Sequence, residues 1–144
     1  MPRITRSALV MFSAEQMFRL VNDVHAYPEF LPGCVGSRVH ETGEDYMMAS
    51  VDVAKAGIAK TFTTRNLLDA NRAIKMELVE GPFSKLAGWW TFTPLDVDAC
   101  KVEFDLDFDF TSKRIELAFG QIFRDLVGSM VLAFSNRAKV VYGV

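Results

Sequence analysis

The C-terminal stretch from Lys113 to Val144 constrains this chain more than any other. Apolar residues recur there as Ile115, Ala118, Phe119, Ile122, Phe123, Leu126, Val127, Met130, Val131, Phe134, Ala138 and Val141. Steps of three and four, held for about seven turns, predict one amphipathic helix roughly 40 Å long. The apolar stripe is wider than a coiled-coil seam, so the helix is expected to lie on a broad surface. Glu116, Gln121, Arg124, Asp125, Ser129, Asn136, Arg137 and Lys139 fill the other side, and no proline interrupts the run. Gly120 and Gly128 are interior, where each costs about 1 kcal/mol relative to alanine. They mark either a close approach of other backbone or room for a ligand. A helix that long in a chain of 144 residues is what the other elements must pack against.

Upstream, residues 3–12 alternate as a strand. Ser13 then opens a helix, with Gln16 three residues on in the capping-box arrangement and Met17, Phe18, Val21 and Val24 as its apolar face. Residues 25–33 form a compact turn in which Pro28 opens a short helical turn and Pro32-Gly33 closes it. From Cys34 the period changes to two. Strands are predicted over 34–41 and 45–53, joined by Thr42-Gly43-Glu44, then over 59–68, 73–78 and 85–94. In the last strand Val102, Phe104, Leu106, Phe108 and Phe110 alternate with Glu103, Asp105, Asp107 and Asp109. One face lies in a core and the other in water, as in an antiparallel sheet. The expected class is α+β: a curved antiparallel sheet of about seven strands closed by the C-terminal helix, in one domain spanning 1–144.

The length allows a real core. Net charge is −2, which gives no overall argument for nucleic acid. Cys34 and Cys100 form no close-spaced motif and read as free thiols of a reducing compartment. The N-terminus lacks the apolar segment of a signal peptide, and no apolar run approaches the ~18–20 residues of a membrane span. A soluble, cytoplasmic protein is expected.

The usual catalytic and metal patterns are missing. His25 and His40 show no metal-ligand spacing with Asp23, Glu29 or Cys34. Cys100 lies in an acidic turn that disfavours a thiolate. Gly33-Cys-Val-Gly36 and Gly81-Pro82 do not make a nucleotide loop. The acids of 103–109 read as a solvated face. Charge is nevertheless uneven. Residues 55–75 carry Lys55, Lys60, Arg65, Arg72 and Lys75 against Asp69 alone, so Lys55, Lys60 and Arg65 are candidates for contact with RNA.

The inward-facing inventory is Ile74, Met76, Leu78, Trp90, Phe92, Phe104, Leu106 and Phe108 on strands, facing Phe119, Phe123, Val127 and Met130 on the helix. These residues line a hydrophobic cavity or simply fill a core, and Met and Phe suit an adaptable apolar pocket. The strand over 59–68 has no clean face. Thr61, Thr63 and Arg65 share one side, and Lys60, Phe62, Thr64 and Asn66 the other. It lies at a sheet edge or brings a polar group into the pocket. An enzyme would need such a group inside, and Thr63 or Arg65 are the candidates.

The element order resembles the helix-grip fold of the START-like (Bet v 1-like) superfamily. The stretch from Val24 to Cys34 is similar to the Tyr-Pro-x-Phe-Leu-Pro-x-Cys segment of the coenzyme Q-binding, polyketide cyclase-like family. Gly33 departs from it where coenzyme Q-binding members commonly carry Trp. Ser13–Phe18, Lys55–Arg65, Gly81–Phe83, Phe92–Leu95 and Ile115–Gly120 are similar to the family's bacterial members. The resemblance implies a non-enzymatic binding protein without a cofactor. Its eukaryotic members imply bound ubiquinone or another isoprenoid lipid and a role in respiration. Its bacterial members imply a toxin of a toxin–antitoxin system that binds the large ribosomal subunit, blocks subunit association and so inhibits translation initiation.

Overall fold

A computed structural model describes residues 3–143. Seven strands, β1 (Arg3–Val10), β2 (Cys34–Thr42), β3 (Tyr46–Lys55), β4 (Ile58–Asp69), β5 (Ala73–Glu80), β6 (Phe83–Asp96) and β7 (Ala99–Phe110), form one antiparallel sheet. Their order is β1-β7-β6-β5-β4-β3-β2. Strands β2 to β7 follow one another as a meander, and β1 adds outside β7. Between β1 and β2 the chain leaves the sheet for α1 (Ala14–Asn22), a 3₁₀ turn (Val24–Ala26) and α2 (Tyr27–Phe30). This front segment and α3 (Lys113–Tyr142) cover one face of the curved sheet. The expected helix-grip architecture is the one observed.

Local chemistry explains the boundaries. At α1, Ser13 Oγ accepts from the Gln16 N–H (3.1 Å) and Gln16 Oε1 accepts from the Ser13 N–H (2.9 Å), closing the capping box. Ser112 caps α3 by accepting from the Ile115 N–H at 3.2 Å. The helix runs to Tyr142, and Val144, which the sequence reading included, lies outside the described residues. By length and mean hydropathy α3 is apolar enough to cross a bilayer, the one such helix among the described residues, where the sequence pattern led us to expect no run approaching a membrane span. Here its stripe of Phe119, Phe123, Leu126, Val127, Met130, Val131, Phe134 and Ala138 is buried against the sheet and front segment. Each large side chain so buried contributes roughly 1.5–3 kcal/mol. The acids Glu103, Asp105, Asp107 and Asp109 lie on the outer face, and Asp105 accepts from Arg3 Nε of β1 at 2.8 Å.

At the interior glycines of α3 the nearest neighbour is an arginine side chain rather than another backbone. A Cβ on Gly120 would stand 2.9 Å from Arg124 Nη1, and one on Gly128 would stand 3.4 Å from Arg6 Nη2. Both clear space for a guanidinium. The Gly128 contact is the looser, so helix propensity should dominate there. Gly128→Ala is expected to stabilise the protein by up to about 1 kcal/mol, raising the midpoint of a thermal melt by roughly 2–8 °C. A lowered midpoint would mean that Arg6 cannot shift.

Candidate functional site

The interior space lies between the concave sheet face, the front segment and the middle of α3. It is a cavity of about 50 Å³. Of the residues expected to line it, Ile74, Met76, Trp90, Phe104, Leu106, Phe123, Val127 and Met130 do so. The other four stand elsewhere. Leu78 sits towards the far end of β5, partly buried against the core. Phe92 packs edge-on against Phe18 of α1, with centroids 5.7 Å apart. Phe108 and Phe119 belong to an aromatic cluster around Phe123, at 5.0 and 5.9 Å. Alternation identifies the inner face of a strand but not the level at which space remains. The sequence reading also left out the wall that the front segment supplies through Val21, Val24, Tyr27 and Leu31, and the polar pair Thr64 and Asn66.

That pair answers the ambiguity of β4. The strand is flanked by β3 and β5, so it is no edge, and it turns Thr64 and Asn66 inward. Thr64 Oγ1 donates to Asn66 Oδ1 at 2.9 Å, and both residues are buried. The Asn66 amide nitrogen has no hydrogen bond among the described residues, leaving one polar group for an apolar cavity. No charged side chain lines the space. Thr63 and Arg65 point the other way. Thr63 Oγ1 lies 2.5 Å from Ser50 Oγ, which in turn lies 2.6 Å from His40 Nε2. The Arg65 guanidinium stacks 4.8 Å above the Tyr46 ring. Neither reaches the cavity.

Burial pushes the Tyr27 phenol up, and its hydroxyl donates to the Val21 carbonyl. Burial also pushes up both free thiols, Cys34 and Cys100. Among the described residues no three His, Cys, Asp or Glu side chains cluster as a metal site requires.

Size limits what the cavity holds in this conformation. A buried water needs roughly 10–15 Å³ in this measure, and a benzene-sized ring about 150 Å³. Fifty cubic ångströms therefore admits a few waters, not a ring. A larger guest requires Met76 and Met130, which are flexible, or the front segment to move.

The basic candidates divide between two faces. The β3–β4 connection is a two-residue hairpin, Ala56 at φ 53° and Gly57 at φ 83°, with Lys55 paired to Ile58. Lys60 pairs with Val53, placing Lys55 and Lys60 on the concave side at the hairpin tip, with no ion pair among the described residues. Arg65 lies on the convex side, opposite Glu77 of β5. The hairpin is braced behind by Asp52, whose carboxylate accepts from Arg38 Nη1 (2.8 Å), Arg38 Nη2 (3.0 Å) and Thr61 Oγ1 (2.6 Å). At its base the Ala54 N–H donates to the Gly33 carbonyl at 3.0 Å. Gly33 adopts φ +87°, which favours glycine, while a Cβ there would meet Val53 Cγ1 at an ordinary 3.8 Å. Conformation rather than space selects glycine here.

The sequence matches the polyketide cyclase / dehydrase and lipid transport family over residues 10–135. The chain belongs to this family. Within it, the chain is 63% identical over 142 residues to the persistence and stress-resistance toxin PasT of Escherichia coli O6:H1, covering 99% of this chain and 90% of that one. It is 64% identical to the ribosome association toxin RatA of Vibrio cholerae, with 99% of each chain covered. A more distant family relative is the mitochondrial coenzyme Q-binding protein COQ10 homolog B of Xenopus laevis, 27% identical over 96% of this chain and 59% of that one. Among solved structures, a Thermus thermophilus protein superposes with a TM-score of 0.83 at 15% identity, covering 96% and 98% of the chains, a likeness of fold alone. An 18 kDa Caulobacter crescentus protein superposes with a TM-score of 0.76 at 30% identity over the whole of both chains.

Arg38 and Thr61 together hold the Asp52 carboxyl down to about 2, against about 3.9 in an unfolded chain. The brace therefore contributes fully above pH ~4 and is lost as pH falls from about 4 to 2. With half-exposed Arg38 screening the pair, the contribution is expected to be about 1 kcal/mol. Asp52→Asn should lower the urea midpoint at pH 7 accordingly and flatten the acid limb of stability below pH 4. An unchanged acid limb would show that Asp52 is not its source.

Proposed function

We propose that this protein associates with the large ribosomal subunit and restrains translation by blocking subunit joining, acting by binding rather than by catalysis. The observation that carries this reading is 64% identity, across 99% of both chains, to a protein named for ribosome association. A cavity of about 50 Å³ without a charged group favours a role played at the surface. The β3–β4 hairpin suits phosphate contact. Its tight turn is stiff, its base is tied to the front segment, and Lys55 and Lys60 face the same way with no acid paired to them among the described residues. A ribosome-bound protein works in the cytoplasm, and the sequence-based expectation of that compartment agrees.

A second reading has its own observation. Asn66 presents an unengaged amide to an otherwise apolar space, which suits a lipid or quinone carrying a carbonyl, and the family includes a coenzyme Q-binding protein. In this reading the cavity opens to admit the ring, and the link to respiration runs through that ligand.

Purified large and small subunits, mixed with the protein and resolved on a sucrose gradient, distinguish the two. The expected result is co-sedimentation with the large subunit and a reduced yield of joined particles. Binding should fall steeply with salt through counterion release. Paired Lys55→Glu and Lys60→Glu changes should weaken it at least tenfold, and Arg65→Glu, on the opposite face, much less. No co-sedimentation would overturn the ribosome reading, and salt-insensitive binding would remove the hairpin from it. For the second reading, organic extraction of the purified protein followed by mass spectrometry should release a quinone that Asn66→Leu no longer retains. A wild-type extract free of lipid would dispose of it.

A further inference from the structure

Strand β1 has one neighbour in the sheet, β7, and among the described residues no strand pairs with its other edge. In an antiparallel pair, alternate residues turn both N–H and C=O away from the partner strand. Half of the β1 backbone groups therefore face outward, and the Thr5 carbonyl accepts a guanidinium hydrogen bond from Arg6 Nη1 at 2.9 Å. The edge is not sealed by α3. A groove of about 690 Å³ runs between residues 6–12 and the stripe on α3 that includes Gly128, Leu132, Asn136 and Lys139. Consecutive residues of a strand line one groove only where its backbone edge forms the wall, because side chains reach a given face at every second position. The groove shares no lining residue with the interior cavity.

Its chemistry is specific. Leu9, Met11 and Leu132 are 73%, 76% and 65% exposed. Among the described residues the charged side chains on the walls are those of Arg6 and Lys139, both cationic. Lipid offers no amides to a free strand edge. A nucleic-acid backbone asks for a row of cations, and two flank a largely apolar trough. A second copy of this chain, pairing edge to edge, would bring its own Arg6 and Lys139 against these two, with no acid on either wall. An extended peptide supplies both halves of the match: amides for the edge, with alternate apolar residues for the trough and carboxylates for the cations.

We infer that the groove between β1 and α3 is the docking site for an extended, acid-bearing segment of a partner protein, which joins the sheet as an eighth strand beside β1. The site is separate from the Lys55–Lys60 hairpin, and the inference does not depend on the ribosome reading.

The test uses the whole protein, isotope-labelled, and titrated with two ten-residue synthetic peptides in which valine alternates with glutamate or with lysine. The glutamate peptide should shift the amides of 5–11 and 128–139, and the lysine peptide should bind at least tenfold more weakly. The paired changes Arg6→Glu and Lys139→Glu, both at exposed side chains, should reverse that preference. On the unaltered protein, glutamate peptides N-methylated at every second residue, in the two possible phases, should differ: one phase abolishes binding and the other leaves it. Equal binding of the two peptides, retention of binding by both N-methylated phases, or no binding at millimolar peptide would each overturn the inference. So would shifts at this face that arise from raising the protein concentration alone, which would assign the groove to a second copy.

Discussion

The contact on which the rest of the structure depends is the insertion of Phe123 into the sheet's aromatic floor. Its ring stands 4.8 Å from Phe83, 5.0 Å from Phe108 and 5.7 Å from Phe62, measured between centroids, and these three come from β6, β7 and β4. The Phe62 and Phe108 pairs are edge-to-face and the Phe83 pair is tilted, and aromatic pairs of this kind add about 0.5–1.5 kcal/mol each beyond the area they bury. They also set α3 at one depth and one rotation. About three turns further along the helix, Phe134 does the same at the other end, meeting Trp90, Tyr27 and Phe30 at 5.4, 5.4 and 5.1 Å. The helix is thus fixed at two points, once to the sheet and once to the front segment, and the cavity is what remains between them.

That arrangement explains why the cavity is small. The front segment is held by buried side chains such as Met17, Phe18, Val21 and Tyr27, and by polar contacts nearer the surface. Ser37 Oγ donates to the Val24 carbonyl at 2.7 Å, Arg137 Nη2 donates to Glu29 at 2.9 Å, and Tyr142 Oη donates to the Gln16 carbonyl at 2.8 Å. Such bonds contribute about 0.5–1.5 kcal/mol each, and they add to the burial of Met17, Val21, Val24 and Leu31 in the core.

The sequence carried the periodic parts of this fold and lost the non-local ones. The α3 stripe, the β7 alternation and the Ser13–Gln16 box are each set by residues close in the chain, and all three were legible. The inner face of β5 to β7 was legible too, but the level of the cavity along it was not. Leu78, Phe92, Phe108 and Phe119 obey the same alternation or helical spacing as Met76, Trp90, Phe104 and Phe123, and only three-dimensional packing separates them. The roles within β4 were inverted for a related reason. Thr63 and Arg65 look like the chemistry-bearing side of the strand, yet it is Thr64 and Asn66 that share the buried face, beside their paired neighbours Ala49, Met47 and Met76. The walls at Val21, Val24, Tyr27 and Leu31 read as ordinary helix core, and nothing local distinguishes them.

Strand order, which no local pattern encodes, has the largest functional consequence. Placing β1 outside β7 leaves it an edge, although its sequence reads like that of any strand in the sheet. The helix is anchored by Phe123 and Phe134 towards the concave centre and also runs close beside β1, where Arg6 reaches over Gly128. The groove lies along that seam, bounded by residues 6–12 on one side and by Gly128, Leu132, Asn136 and Lys139 on the other. The one element thus closes the interior down to a few waters through its buried stripe and walls an outer groove with the residues beside that stripe.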